Sequence, residues 1–188
     1  MSIRAISPWA AILFLVAGCM SPEGDTAQEK RSAAQQMKAE TLAELYELEP
    51  QARDQISQAA GYAVFSNVGV HIILLSAGGG HGVVEDNRSS QTHYMKMATG
   101  GLGLGLGAKD FRGIFVFTSE EALDQFVDSG WDASAQADAA AKSEDKGDAW
   151  AGAVDVAPGI KLYQITKNGL ALQATIQGTK YWKDEELS

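Results

Sequence analysis

The 188-residue chain carries 24 acidic against 15 basic side chains, a formal net charge of −9. That balance repels polyphosphate backbones and anionic membrane surfaces at long range, which argues against a general nucleic-acid binder and leaves room only for a small local basic site. Hydrophobic residues make up 45% of the chain, enough for a real core, and the single cysteine, Cys19, excludes an intrachain disulfide.

The first element is an export signal. Arg4 supplies a short positive segment, and an apolar stretch through Trp9, Ile12, Leu13, Phe14, Leu15 and Val16 follows. The stretch is shorter than the roughly 20 residues of a spanning helix, and Pro8 interrupts its start. It ends in Val16-Ala17-Gly18-Cys19, which resembles the bacterial lipobox, where a diacylglyceryl group joins the cysteine before cleavage. The resemblance implies a signal peptide over residues 1–18 and lipidation at Cys19. One acyl chain anchors only marginally, so a cysteine carrying several meets the need. Met20 and Ser21 resemble outer-membrane sorting, since the usual inner-membrane aspartate is absent; the expected location is the outer membrane, facing the periplasm.

Residues 19–28 read as the acylated cysteine and a polar tether containing Pro22 and Gly24. Residues 29–188 read as one domain. From 29 to 49 the period is helical, with Met37, Leu42, Leu45 and Leu48 on one stripe. Pro50 suits the first turn of a second helix, which Ala52, Ile56, Ala59 and Ala60 pack inward and Gly61 ends.

After Gly61 the period becomes that of strands, over 62–67, 68–75, 82–86, 93–99, 102–108 and 113–117. Gly78-Gly79-Gly80 and Asp86-Asn87-Arg88-Ser89 are read as turns between them. Thr118 and Glu121 suggest a capping box for a helix with Leu123, Phe126 and Val127 on its apolar face and Gly130 at its end. The Ala-rich stretch 133–141 fits strand or helix, and 142–148 reads as a polar loop. Strands over 160–166 and 170–176 flank Lys167-Asn168-Gly169, a hairpin signal. The predicted class is α+β: N-terminal helices, then an antiparallel sheet, open or barrel-like, with one inserted helix.

Chemistry-bearing motifs are few. Gly103-Leu104-Gly105-Leu106-Gly107-Ala108 formally matches a dinucleotide fingerprint, but a strand rather than a helix follows it. A strand with leucines on one face and glycines, including Gly101, Gly103 and Gly105, on the other fits better. Such a bare face admits another backbone or a ligand. Gly78-Gly79-Gly80-His81-Gly82 is read as a hairpin turn, or as a flexible mouth over an anionic head group with His81 as donor. His71 and His81 could face each other across a hairpin, yet with His93 they show no metal-ligand spacing. No cofactor is expected. The nucleophile elbow, phosphate loop and zincin helix are all missing from the sequence, and Glu120 and Glu121 suit a helix first turn, so no enzyme is expected. Lys161, Lys167, Lys180 and Lys183 read as a solvated sheet edge or as a local seat for lipid phosphates.

One stretch is more specific. Ala59-Ala60-Gly61-Tyr62-Ala63-Val64-Phe65-Ser66-Asn67-Val68-Gly69 resembles the opening of the SYLF lipid-binding family, which includes yeast actin-patch proteins and bacterial envelope proteins. Further blocks keep the family's order: 78–84, 97–107, Phe115 to Phe126 with its Glu-Ala-Leu-x-x-Phe helix, 131–135, and Lys167-Asn168-Gly169-Leu170 with Gly178-Thr179. The resemblance implies a non-enzymatic domain that binds membrane phospholipid. Eukaryotic members also bind actin, but the basic segments linked to that find no match here. The chain departs from the family at Val70-His71-Ile72-Ile73-Leu74-Leu75, where small residues are usual. The alternative reading is a structural or adaptor lipoprotein that uses this hairpin to engage another envelope protein or a second copy.

Overall fold

A computed structural model describes residues 21–72, 75–102, 111–133, 150–171 and 178–188. The signal segment and Cys19 lie outside the described residues, as do Gly103, Gly105, the strand expected over 102–108 beyond its first residue, and nearly all of 133–148.

Helix α1 (Ala27–Leu48) opens on a reciprocal cap. Thr26 Oγ1 accepts from the Glu29 N–H at 3.2 Å, and the Glu29 carboxylate accepts from the Thr26 N–H at 3.0 Å. The cap holds the Glu29 carboxyl below its usual range, chiefly through the backbone N–H of Thr26. Ala34, Thr41 and Leu45 form the buried stripe, with Met37 and Leu42 half-buried beside it. Leu48, expected on that stripe, is 45% exposed because the helix ends there and the chain turns through Glu49 and Pro50. Helix α2 (Ala52–Gln58) buries Ala52 and Ile56. Its end is capped from a distant turn, where Asn87 Nδ2 donates to the carbonyls of Ile56 and Ala59 at 2.8 and 3.0 Å.

Among the described residues nine strands follow: β1 (Gly61–Ile72), β2 (Leu75–Asp86), β3 (Gln91–Leu102), β4 (Phe111–Phe117), β5 (Trp131–Asp132), β6 (Ala153–Ala157), β7 (Ile160–Thr166), β8 (Gly169–Ala171) and β9 (Thr179–Lys183). They form one curled antiparallel sheet in the order β5-β9-β3-β2-β1-β4-β7-β6, with β8 also on β7. The α+β expectation holds, and one inserted helix is present among the described elements. Helix α3 (Glu120–Ser129) is that insertion, and its apolar face is Ala122, Leu123, Phe126 and Val127.

Several local expectations are corrected. The strands expected over 62–67 and 68–75 run as one strand, β1, as far as Ile72, and Leu75 already belongs to β2. Gly78-Gly79-Gly80 is no turn but the middle of β2, paired on one side to Gly69, Val68 and Asn67 and on the other to Thr99, Ala98 and Met97. Helix α3 is capped by Ser119, whose Oγ accepts from the Ala122 N–H at 3.3 Å. Thr118 still belongs to the sheet's end, its N–H bonded to the Gly159 carbonyl at 2.8 Å. Gly61 starts β1 instead of ending α2; a Cβ there would fall 2.5 Å from the Glu85 carbonyl oxygen. The Asn168-Gly169 hairpin is present, with Gly169 at φ +92°.

Helices cover both sheet faces. On one, α1 and α2 pack over Val64, Ile114, Val116, Tyr163 and Ile165. Polar ties reinforce this side: Lys38 pairs with Glu85, and Arg112 Nη1 lies 3.1 Å from Glu44 Oε2. The other face carries α3 and the larger core. Each fully buried large side chain there contributes roughly 1.5–3 kcal/mol relative to exposure. Among the described residues no helix is long and apolar enough to cross a membrane.

Candidate functional site

The α3 face changes character along its strands. Directly paired residues share a face, so the register places Ala63, Phe65 and Asn67 of β1 with Val84, Gly82 and Gly80 of β2. Beneath α3 the face is aromatic. Phe65 lies edge-on to Phe115 and Tyr181, with centroids 5.9 and 4.7 Å away, and Phe126 of α3 stacks obliquely on Phe115 at 5.5 Å. Trp131 completes the cluster, 5.5 Å from Phe115. Arg88, in the β2–β3 turn, fastens α3 from outside through Asp124 at 2.6 Å and Glu120 at 3.2 Å.

Beyond Phe65 the same face is lined by Gly78 and Gly80 and by buried polar side chains: Asn67, Thr99 and Thr179. The glycines are required by close approach. A Cβ on Gly80 would fall 1.9 Å from the Ser66 carbonyl oxygen, and one on Gly78 would fall 3.0 to 3.1 Å from Asn67 Oδ1, Thr99 Oγ1 and the Val68 carbonyl oxygen. Three oxygens therefore converge over a bare backbone. Thr99 Oγ1 and, deeper, the Tyr181 hydroxyl are buried with no hydrogen-bond partner among the described residues. Burial pushes the Tyr181 phenol far above its ordinary range, so it stays protonated and able to donate. Buried oxygens of this kind are costly unless water or a ligand meets them. The two hydroxyls can meet a hydroxyl or ester group beside the packed apolar cluster.

Of the glycines expected to form a bare wall, Gly101 continues β3 opposite Ser76, on the same alternation as Met97 and Thr99. The structure adds Gly78 and Gly80, which lie in the middle of β2 and not in a turn.

The four lysines are not brought together. Lys161 and Lys167 belong to β7 and its turn, Lys180 and Lys183 to β9, and β4, β1, β2 and β3 lie between those strands. Lys161 is 5% exposed, with its ammonium 2.8 Å from Asp155 Oδ1 and 5.2 Å from the Trp150 ring centre. Lys180 pairs with Asp132 at 3.1 Å and Lys183 with Asp128 at 3.5 Å, on opposite faces of the sheet. A single phosphate seat built from all four is not formed.

The histidines are also apart. His81 pairs with Ser66 and His71 with Ser76, so they do not oppose one another. Among the described residues no group of three His, Cys, Asp or Glu side chains converges to hold a metal. Lys96, beside His81 in the ladder, reaches the buried Asp184 at 2.8 Å, and Arg31 Nε donates to the Leu187 carbonyl at 3.0 Å. These bonds clasp the C-terminal segment to β3 and α1.

No protein-family model matches the chain. It is 32% identical over 163 residues to Beta cell expansion factor A of Aeromonas veronii. That alignment takes in 87% of this chain and 60% of the relative, so the chain spans less than two thirds of the relative's length.

Proposed function

We propose that this chain is a non-enzymatic, phospholipid-binding lipoprotein of the cell envelope and a member of the SYLF family. The observation that carries the reading is the α3 face, where a packed aromatic cluster gives way to a glycine stripe bordered by the buried side chains of Asn67, Thr99 and Thr179. The buried Thr99 and Tyr181 hydroxyls, without partners among the described residues, suit the ester or glycerol oxygens of a lipid. The resemblance blocks support it by falling on the elements that build this face: Ala59 to Gly69 leads into β1, 78–84 lies in β2, and Phe115 to Phe126 spans β4 and α3. The acidic balance and the dispersed, paired lysines favour recognition of the apolar and ester parts of a lipid over its phosphate. Acylation of Cys19 would hold the domain at the outer membrane, where proximity raises the effective concentration of lipid.

The test is flotation of residues 21–188 with liposomes of phosphatidylcholine alone and with added phosphatidylglycerol, across salt. Binding to both compositions with little salt dependence is expected. A folded fragment that floats with neither composition would overturn the lipid reading and favour the adaptor one, with a protein partner or a second copy.

A further inference from the structure

A cleft of about 540 Å³ beside α2 shares no residue with the glycine stripe. It is lined by Gln51, Asp54, Gln55, Gln58, Thr118 and Trp150. Three carboxamides supply paired donors and acceptors, Asp54 a further acceptor, and Thr118 a hydroxyl. Among the described residues no Lys, Arg or His lines it, so a phosphate or carboxylate ligand would meet Asp54 without a compensating cation.

Two of these groups are held from behind. The Tyr163 hydroxyl donates to Gln55 Oε1. Burial pushes that phenol up to about 12, so it keeps its proton and remains the donor. Gln55 is thereby oriented, and its Nε2 has no partner among the described residues. Trp150 is half-buried, with its ring facing the Lys161 ammonium, which Asp155 holds in turn. An oriented amide and an oriented indole in one polar cleft lower the ordering cost of binding.

We propose that this cleft binds an uncharged saccharide, the amides and Asp54 meeting ring hydroxyls and the Trp150 indole covering an apolar sugar face. A cationic ligand fits less well. The indole already faces one ammonium, and the cleft offers a single carboxylate.

The experiment uses the full chain in a sugar-free detergent, titrated with chitotriose, maltotriose and cellotriose and read by saturation-transfer NMR and tryptophan fluorescence. Saturable binding of at least one, with a Kd of roughly 1 mM, is expected. Gln55→Ala and Trp150→Ala should each weaken it at least tenfold. The exposed Gln58→Ala should weaken it severalfold without moving the melting temperature, which guards against simple unfolding. Gln36→Ala on α1 should change nothing. No saturable binding of any of the three, binding untouched by Gln55→Ala and Trp150→Ala, or preference for glucuronate over the neutral sugars would each overturn the proposal.

Discussion

Phe65 fills the space that a side chain at Gly82 would need: a Cβ built there would fall 2.2 Å from Phe65 Cδ1 and 2.5 Å from Cε1. The two residues are direct partners across β1 and β2, and the ring leads into the aromatic cluster under α3. Gly82→Ala should therefore destabilise the domain by about 1–3 kcal/mol, as overpacking does in a tight core. Phe65→Leu alone should also cost stability, but Gly82→Ala should cost less in that background. Urea unfolding of the four-member cycle reads the coupling; strict additivity would show that the ring does not oppose the Cβ.

This pair also shows where sequence reading succeeds and where it stops. The alternation from Tyr62 to Asn67 suffices to place Ala63 and Phe65 on one face, and the Glu-Ala-Leu-x-x-Phe pattern suffices for α3. The glycine run 78–80 misleads because glycine serves both a turn and a strand that must accept a close neighbour. Only the register, with Phe65 opposite Gly82 and Ser66 pressing on Gly80, decides between them. The lysines fail for a related reason. Spacing along the chain says nothing about the four strands that separate β7 from β9. Trp150 and Gln55 carry no local pattern at all, being joined by Tyr163 and Lys161 from a third element.

Among the described ion pairs, Lys96–Asp184 holds the most deeply buried carboxylate, with Asp184 at 1% side-chain exposure. That carboxylate also accepts from the Glu186 N–H at 3.0 Å. Lys96→Met strands a buried charge and should cost about 3–5 kcal/mol. Lys180→Met, which removes the exposed partner of Asp132, should change stability by less than about 1 kcal/mol. Adding Asp184→Asn to Lys96→Met should restore part of the loss, because the amide still accepts from Glu186. Thermal melts of the three variants test the ranking.

His81 gives the domain an acid-side sensitivity. Burial lowers its pKa from 6.5, with the Asp184 carboxylate opposing the shift, and its Nδ1 is buried without a partner among the described residues. The unfolded chain thus takes up a proton near pH 6.5 that the folded chain resists. The stability from the neutral imidazole is fully present above 6.5 and is lost as pH falls from there toward the lower folded value. Urea midpoints should drop as pH falls below about 6.5. His81→Asn should flatten that segment of the profile. An unchanged slope in the variant would assign the sensitivity to another group.

Thr99 separates a structural from a ligand-binding role for the glycine stripe. Its hydroxyl is buried without a partner among the described residues, beside Gly78 and opposite Thr179. Thr99→Val keeps the shape and removes the oxygen, relieving a desolvation cost of about 1–3 kcal/mol. The ligand-free variant should therefore melt at or above the wild-type temperature. If the hydroxyl meets a lipid ester, the same variant should float severalfold less with liposomes. A more stable protein that binds less places Thr99 at the ligand. A less stable one would mean that ordered water already satisfies the hydroxyl, and equal binding would move the lipid contact away from Gly78.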